Sequence, residues 1–247
     1  MDSLDATTRS VRKASVAAGI ALLLLAVLAG FGFLVVVEGL VTQGDAAETA
    51  KDILASEGLF RLGVVAMLVA ASLDVIVGWG LFRVFSPVNR DIALVAALFR
   101  VVYAGVFIVA ISQLVSIPDL LRGDGHLQVF SEAQLQAEAL VRVDTFTDIW
   151  DAGLFLFSAH LVLIGYLAYR SGYVHKVLGA LLVVAGGGYM IDSLVSFLSE
   201  GRSPDFSAYT FIGEFFLILW LLIRGRRVTL RDEDAVPPGA QASVTER

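Results

Sequence analysis

Of 247 residues, 57% are hydrophobic and only 17% charged, a balance too apolar for a soluble fold of this length and one that places the chain among integral membrane proteins. There is no cysteine, which excludes disulfides, thiolate metal sites, iron–sulfur clusters and thiol catalysis together. A net charge of −6 with no basic patch excludes nucleic acid as a partner.

Residues 1–13 read as a polar N-terminal tail carrying Arg9, Arg12 and Lys13, followed by an apolar run over 14–37. About 20 apolar residues at roughly 1.5 Å rise cross a hydrocarbon layer about 30 Å thick. The run exceeds a signal-peptide core of roughly 7–15 residues, so it is read as a retained first span. Residues 38–58 form a polar loop, where Asp45 and Glu48 have capping-box spacing for a short helix ending near Ala55. The second span, 59–85, and the third, 91–117, are joined by a turn around Pro87 short enough to force them antiparallel. Ser131 and Gln134 repeat the capping signature. Beyond them Leu135, Ala139, Val143, Phe146 and Trp150 recur at steps of three and four. That period predicts an amphipathic helix that lies on the outer membrane surface or caps the bundle, or equally a solvated extension of the fourth span.

The fourth span, 148–169, ends at a basic turn where Ser171 and Gly172 supply the stop. The fifth covers 177–198, and the sixth, 206–223, halts at Arg224, Arg226 and Arg227. Residues 225–247, polar and with paired prolines, read as a disordered tail. The predicted fold is therefore all-α, a polytopic transmembrane bundle over residues 14–224 with six spans and an additional outer amphipathic helix. Positive charge sets the direction: the segments on the N-terminal side of the membrane hold twelve Lys and Arg, against four (Lys51, Arg122, Arg142 and Arg202) on the other. By the positive-inside rule both termini are expected to be cytoplasmic, and the expected location is the plasma membrane. Trp79, Tyr166, Tyr169 and Trp220 fall near the inner interface, Trp150 and Tyr209 near the outer.

Ionisable residues inside the spans are the candidate functional groups, because each is costly there. Asp74 lies nine positions from Arg83, and Arg100, His160 and Glu214 lie ten from Arg90, Arg170 and Arg224. All four therefore share a layer about 14–15 Å deep, and Asp74 and Arg100, on adjacent antiparallel helices, are expected to pair. Asp148, Asp151 and Asp192 form a second group nearer the outside. Asp192 shares a helical face with Tyr189, Ser193 and Ser196, a polar stripe expected to face the bundle. Asp151 and His160 stand about half a turn out of phase, so one face of the fourth helix cannot serve both. His160 is expected to donate to a neighbouring carboxylate or carbonyl. Gly186, Gly187 and Gly188, with Gly179 below them, read as a close-packing surface.

Residue types set several chemistries aside. No lysine lies within a span to anchor a Schiff base, and a single intramembrane histidine leaves haem and zinc without a ligand set unless carboxylates substitute. Ser158 and His160 point about 200° apart on their helix, so they make no nucleophile and base pair. No catalytic, cofactor-binding or metal residue is assigned.

The stretch from Gly153 to His160 (GLFLFSAH), then Gly165 to Tyr173 (GYLAYRSGY), Leu178-Gly179, Gly188-Tyr189, Asp192-Ser193 and Gly213-Glu214, resembles the DUF4386 family of bacterial membrane proteins. The resemblance runs from about Arg12 to Arg224, and it implies six membrane helices and no known activity. Arg100, His160, Arg170, Gly172, Asp192 and Glu214 fall on positions of that pattern, whereas His175 stands where it has proline. Together the residues describe a non-enzymatic structural or interaction protein whose buried charges hold helix register. A small proton- or ion-coupled transporter or channel with a midplane relay is the alternative, and an intramembrane lipid-modifying enzyme the third reading. Partners are the lipid bilayer and either a homo-oligomer or another membrane protein.

Overall fold

The computed structural model describes residues 2–199, 206 and 212–230. Every element in them is helical. In order these are α1 (Asp2–Gly32), a wider π turn (Phe33–Glu38), α2 (Ala46–Ala55), α3 (Glu57–Phe85), α4 (Arg90–Val115), α5 (Ile117–Arg122), a 3-10 turn (Gly125–Val129), α6 (Glu132–Arg170), α7 (Lys176–Leu198) and α8 (Ile212–Leu219). α8 continues through a π turn, Trp220–Arg224, and a 3-10 turn, Gly225–Arg227. Among the described residues five helical segments are long and apolar enough to cross a membrane: Asp5–Glu38, Glu57–Phe85, Arg90–Arg122, Glu132–Arg170 and Lys176–Leu198. Of the expected sixth span, only residues 206 and 212–223 are described. Tyr209, Arg202 and the expected tail from 231 onward lie outside the described residues.

Each long helix packs on the next, α1 on α3, α3 on α4, α4 on α6, α6 on α7 and α7 on α8, and α8 returns to α1. The result is a ring of helices around a core that includes Met67, Leu81, Ile111, Leu161 and Leu182, all at most 1% exposed. The turn after α3 is fixed by Asn89, whose side chain accepts from Ile92 N–H and caps α4. α6 stops at Gly172, which adopts φ +71°, a left-handed conformation that glycine reaches without a Cβ penalty.

The structure adds to three expectations. Residues 2–13, the expected N-terminal tail, are helical and form the first turns of α1, with Val11 packed against Val228 and Leu230. Arg12 Nε donates to Val228 O (2.7 Å), and Ser15 Oγ donates to Leu221 O (3.0 Å), pinning α1 to the chain that follows α8. Of the two readings of the amphipathic segment, the structure has the extension of the fourth span and no separate outer helix. It is the beginning of α6, which runs unbroken for 39 residues, and Leu135, Ala139, Val143 and Phe146 are buried in a core that α2 and α5 complete. That apolar face is thus covered by protein. The Ser131 and Gln134 capping box that starts it forms in both directions, whereas at α2 only Asp45 caps, because the Glu48 carboxylate is drawn to Lys51 (2.7 Å). Finally, Trp150, expected near the outer interface, packs among Phe33, Phe107 and Phe146, at centroid distances of 5.3–5.8 Å.

His175 shows why the departure from proline is tolerated. Its φ of −65° is the value proline would impose, and its Nδ1 accepts from Val177 N–H (3.3 Å) to cap α7.

Candidate functional site: a charged layer inside the bundle

Arg100 projects from the middle of α4 and is 2% exposed. A guanidinium at that depth must find its partners within the protein, and it finds them on two other helices. Its Nη2 meets Asp74 Oδ1 on α3 at 2.6 Å, and its Nη1 lies 3.1 Å from His160 Nε2 on α6. Its carbon stands 5.2 Å from the centre of the Phe157 ring, one turn before His160. Arginine can only donate, so His160 Nε2 is the acceptor and the ring proton sits on Nδ1. Nδ1 then donates to Ala96 O (2.8 Å), one turn before Arg100 on the same helix. His160 therefore grips one turn of α4 at two points. The three helices are joined by an ion pair to α3 and a charge-assisted hydrogen bond to α6, the stronger class of hydrogen bond.

An aromatic shell surrounds this junction. Tyr103, three residues after Arg100, packs on Phe157 (5.0 Å) and accepts from Trp150 Nε1–H (3.1 Å). Phe157 also meets the Tyr189 ring edge-on (5.4 Å), and the Tyr189 hydroxyl donates to Glu214 Oε1 (2.9 Å). Glu214, on α8, is half-buried and lies within electrostatic range of Arg100 and Asp74. Asp74 and His160 each contact Arg100, and Glu214 is connected to them through Tyr189 and Phe157.

The outer group is only partly assembled. Ser193 Oγ donates to Asp151 O (2.6 Å) and Ser196 Oγ to Asp151 Oδ2 (3.0 Å), tying α6 to α7. Asp192, 7% exposed, accepts from Phe206 N–H (2.9 Å). Asp148 is not a member, because its side chain is exposed. It lies two residues from both Phe146 and Trp150, hence about 200° from the face they bury. The half-turn between Asp151 and His160 is used as its phase requires: His160 serves α4, and Asp151 serves α7.

Phe157, Tyr103 and Trp150 are the members that residue-by-residue reading passed over. Their signal was spacing, since Tyr103 and Phe157 each stand three positions from an ionisable group and so share its helical face. A second charged set was also missed, at the other end of the bundle. Arg61 donates to Glu57 (2.8 Å) and Asp119 (3.0 Å), while Arg122 pairs with Glu57 (2.7 Å) and with Asp119. These four close a ring between α3 and α5 that is exposed to solvent, where ion pairs contribute little.

Among the described residues, no group of three or more His, Asp or Glu side chains converges as a metal site would. A family model described as a domain of unknown function, DUF4386, matches residues 17–225. The chain is also similar to an uncharacterized protein of Archaeoglobus fulgidus, 35% identical over 166 residues, which are 67% of this chain and 85% of that protein. No solved structure matches. Since the matched residues take in the charged layer from Asp74 to Glu214, what that layer does is a question about the family, and this chain, a polytopic membrane protein, belongs to the DUF4386 family.

Proposed function

We propose that this protein is a non-enzymatic structural or interaction protein of the plasma membrane. Its buried charges lock the register of a six-span bundle with both termini cytoplasmic. The reading rests on one observation above all, that Arg100 is held by α3 and α6 at the same time through Asp74, His160 and the Phe157 ring. An ion that bridges three helices specifies their relative heights, because sliding any one by a turn would strand a charge in an apolar medium. His160 fits a clasp better than a relay, since both ring nitrogens are engaged and no lone pair is free to accept a proton in transit.

A second reading, a proton- or ion-coupled transporter, draws support from Glu214. It is a second carboxylate near the layer and makes no ion pair among the described residues. Two variants separate the readings. Asp74→Asn should lower the melting temperature in either case, but Glu214→Gln should leave the clasp intact and abolish proton uptake in liposomes only if a relay exists. Flux through the wild-type protein that Glu214→Gln removes without loss of stability would sink the structural reading.

A further inference from the structure

The segments that meet at the basic end of the bundle hold a feature that the charge layer does not use. Between α7 and the end of α8 runs a groove of about 400 Å³, floored by Leu178, Leu181, Phe216 and Trp220. Its polar edge is formed by His175 and Arg224. We propose that this groove binds an anionic phospholipid, with an acyl chain on the apolar floor and the phosphate between Arg224 and His175.

Charge is what selects this occupant. No Asp or Glu occurs in residues 152–191 or 215–230, which hold Arg170, Lys176, Arg224, Arg226 and Arg227; in the sequence beyond them the next acids are Asp232, Glu233 and Asp234. Arg224 is exposed and makes no hydrogen bond or ion pair among the described residues. Because His175 Nδ1 accepts from Val177 N–H, the ring proton is on Nε2, which leaves one donor for a phosphate oxygen. An acyl chain satisfies the floor, and one negative headgroup satisfies both donors at the rim. A second copy of this chain would bring the same Arg224 to the seam, and like charges there repel. A zwitterionic lipid offers a phosphate but carries its own cation beside it.

Trp220 lies in the groove and reports on it directly. The full chain carrying Trp79→Phe, and the same protein also lacking Trp220, would be reconstituted in phosphatidylcholine vesicles. Dibrominated phosphatidylglycerol or dibrominated phosphatidylcholine would then be added in rising proportion. The Trp220 share of the fluorescence should be quenched by the anionic lipid at a several-fold lower mole fraction. Arg224→Gln should reduce that preference about fivefold, the effect of one cation near an anionic surface. Its melting temperature should not change, because the side chain is exposed and unbonded. Leu181→Phe, which fills the floor, should weaken quenching by both lipids. Equal quenching by the two lipids, or a preference that survives Arg224→Gln combined with His175→Gln, would overturn the proposal. So would preference erased by inorganic phosphate at constant ionic strength, which assigns the cations to a soluble anion. Absence of quenching together with a cross-linked dimer would assign the groove to a second copy instead.

Discussion

At the scale of single residues, the pairing of Asp74 with Arg100 follows from equal depth on antiparallel helices, and the structure brings them to 2.6 Å. Removing one partner leaves the other charged and buried, at a cost of about 3–5 kcal/mol, whereas replacing both by apolar residues of similar shape costs much less. Asp74→Leu and Arg100→Met should therefore each lower stability severely, and the double variant should recover most of the loss. A double-mutant cycle in detergent, read by thermal unfolding, measures the coupling. Simple additivity would mean that the pair contributes nothing beyond its separate parts. His160→Leu should be intermediate, because it deprives Arg100 Nη1 of its acceptor while Asp74 continues to neutralise the charge. Spacing placed Phe157 on the helical face of His160, but its partner could not be read from the chain, because that partner, the Arg100 guanidinium, comes from another helix.

At the scale of elements, α6 carries the most information. Its inner half touches α4 through His160 and α7 through a backbone contact that only glycine allows. A Cβ on Gly179 would stand 2.6 Å from Tyr169 N and 2.7 Å from Gly165 O. Gly186 meets Ser158 O at 2.8 Å in the same way, while Gly187 has open space. The glycine run is therefore a packing surface at two of its expected positions, and small residues are what bring membrane helices this close. Gly179→Leu should destabilise the α6 and α7 pair by about 1–3 kcal/mol or more, and Gly187→Ala should be nearly neutral. Comparing the two by thermal unfolding tests whether the run is a hinge, since a hinge would be sensitive at Gly187 as well. At the other end of the chain, Arg12→Met removes a charged hydrogen bond to Val228 O, worth about 1.5–3 kcal/mol. Limited proteolysis should then cut sooner after Leu230.

At the scale of the whole molecule, the segments predicted to share the cytoplasmic side meet one another. Arg83 contacts Ser10, Tyr173 donates to Val84 O (2.7 Å), and Arg12 reaches Val228. Glu57, Arg61, Asp119 and Arg122 meet at the opposite end. Alternating helix directions were expected from charge asymmetry alone, and contacts now group the same segments for a different reason. A cytoplasm-active reporter fused to the C-terminus and an export-active one inserted after Gly123 should both give signal. Loss of either at normal expression would reject the proposed orientation.

Hydropathy and helix stops are local quantities, and what depends on them was legible in the chain: an all-helical membrane protein, the limits of α3, α4 and α7 to within about two residues, and the pairing of Asp74 with Arg100. Partner choice is not local. That Asp148 is exposed while Asp151 is bonded to α7, that the amphipathic start of α6 is covered by α2 and α5, and that α1 closes the ring on α8 each depended on which surfaces lie opposite. These had to wait for the packed fold, because an apolar stripe looks the same whether lipid or a neighbouring helix will cover it.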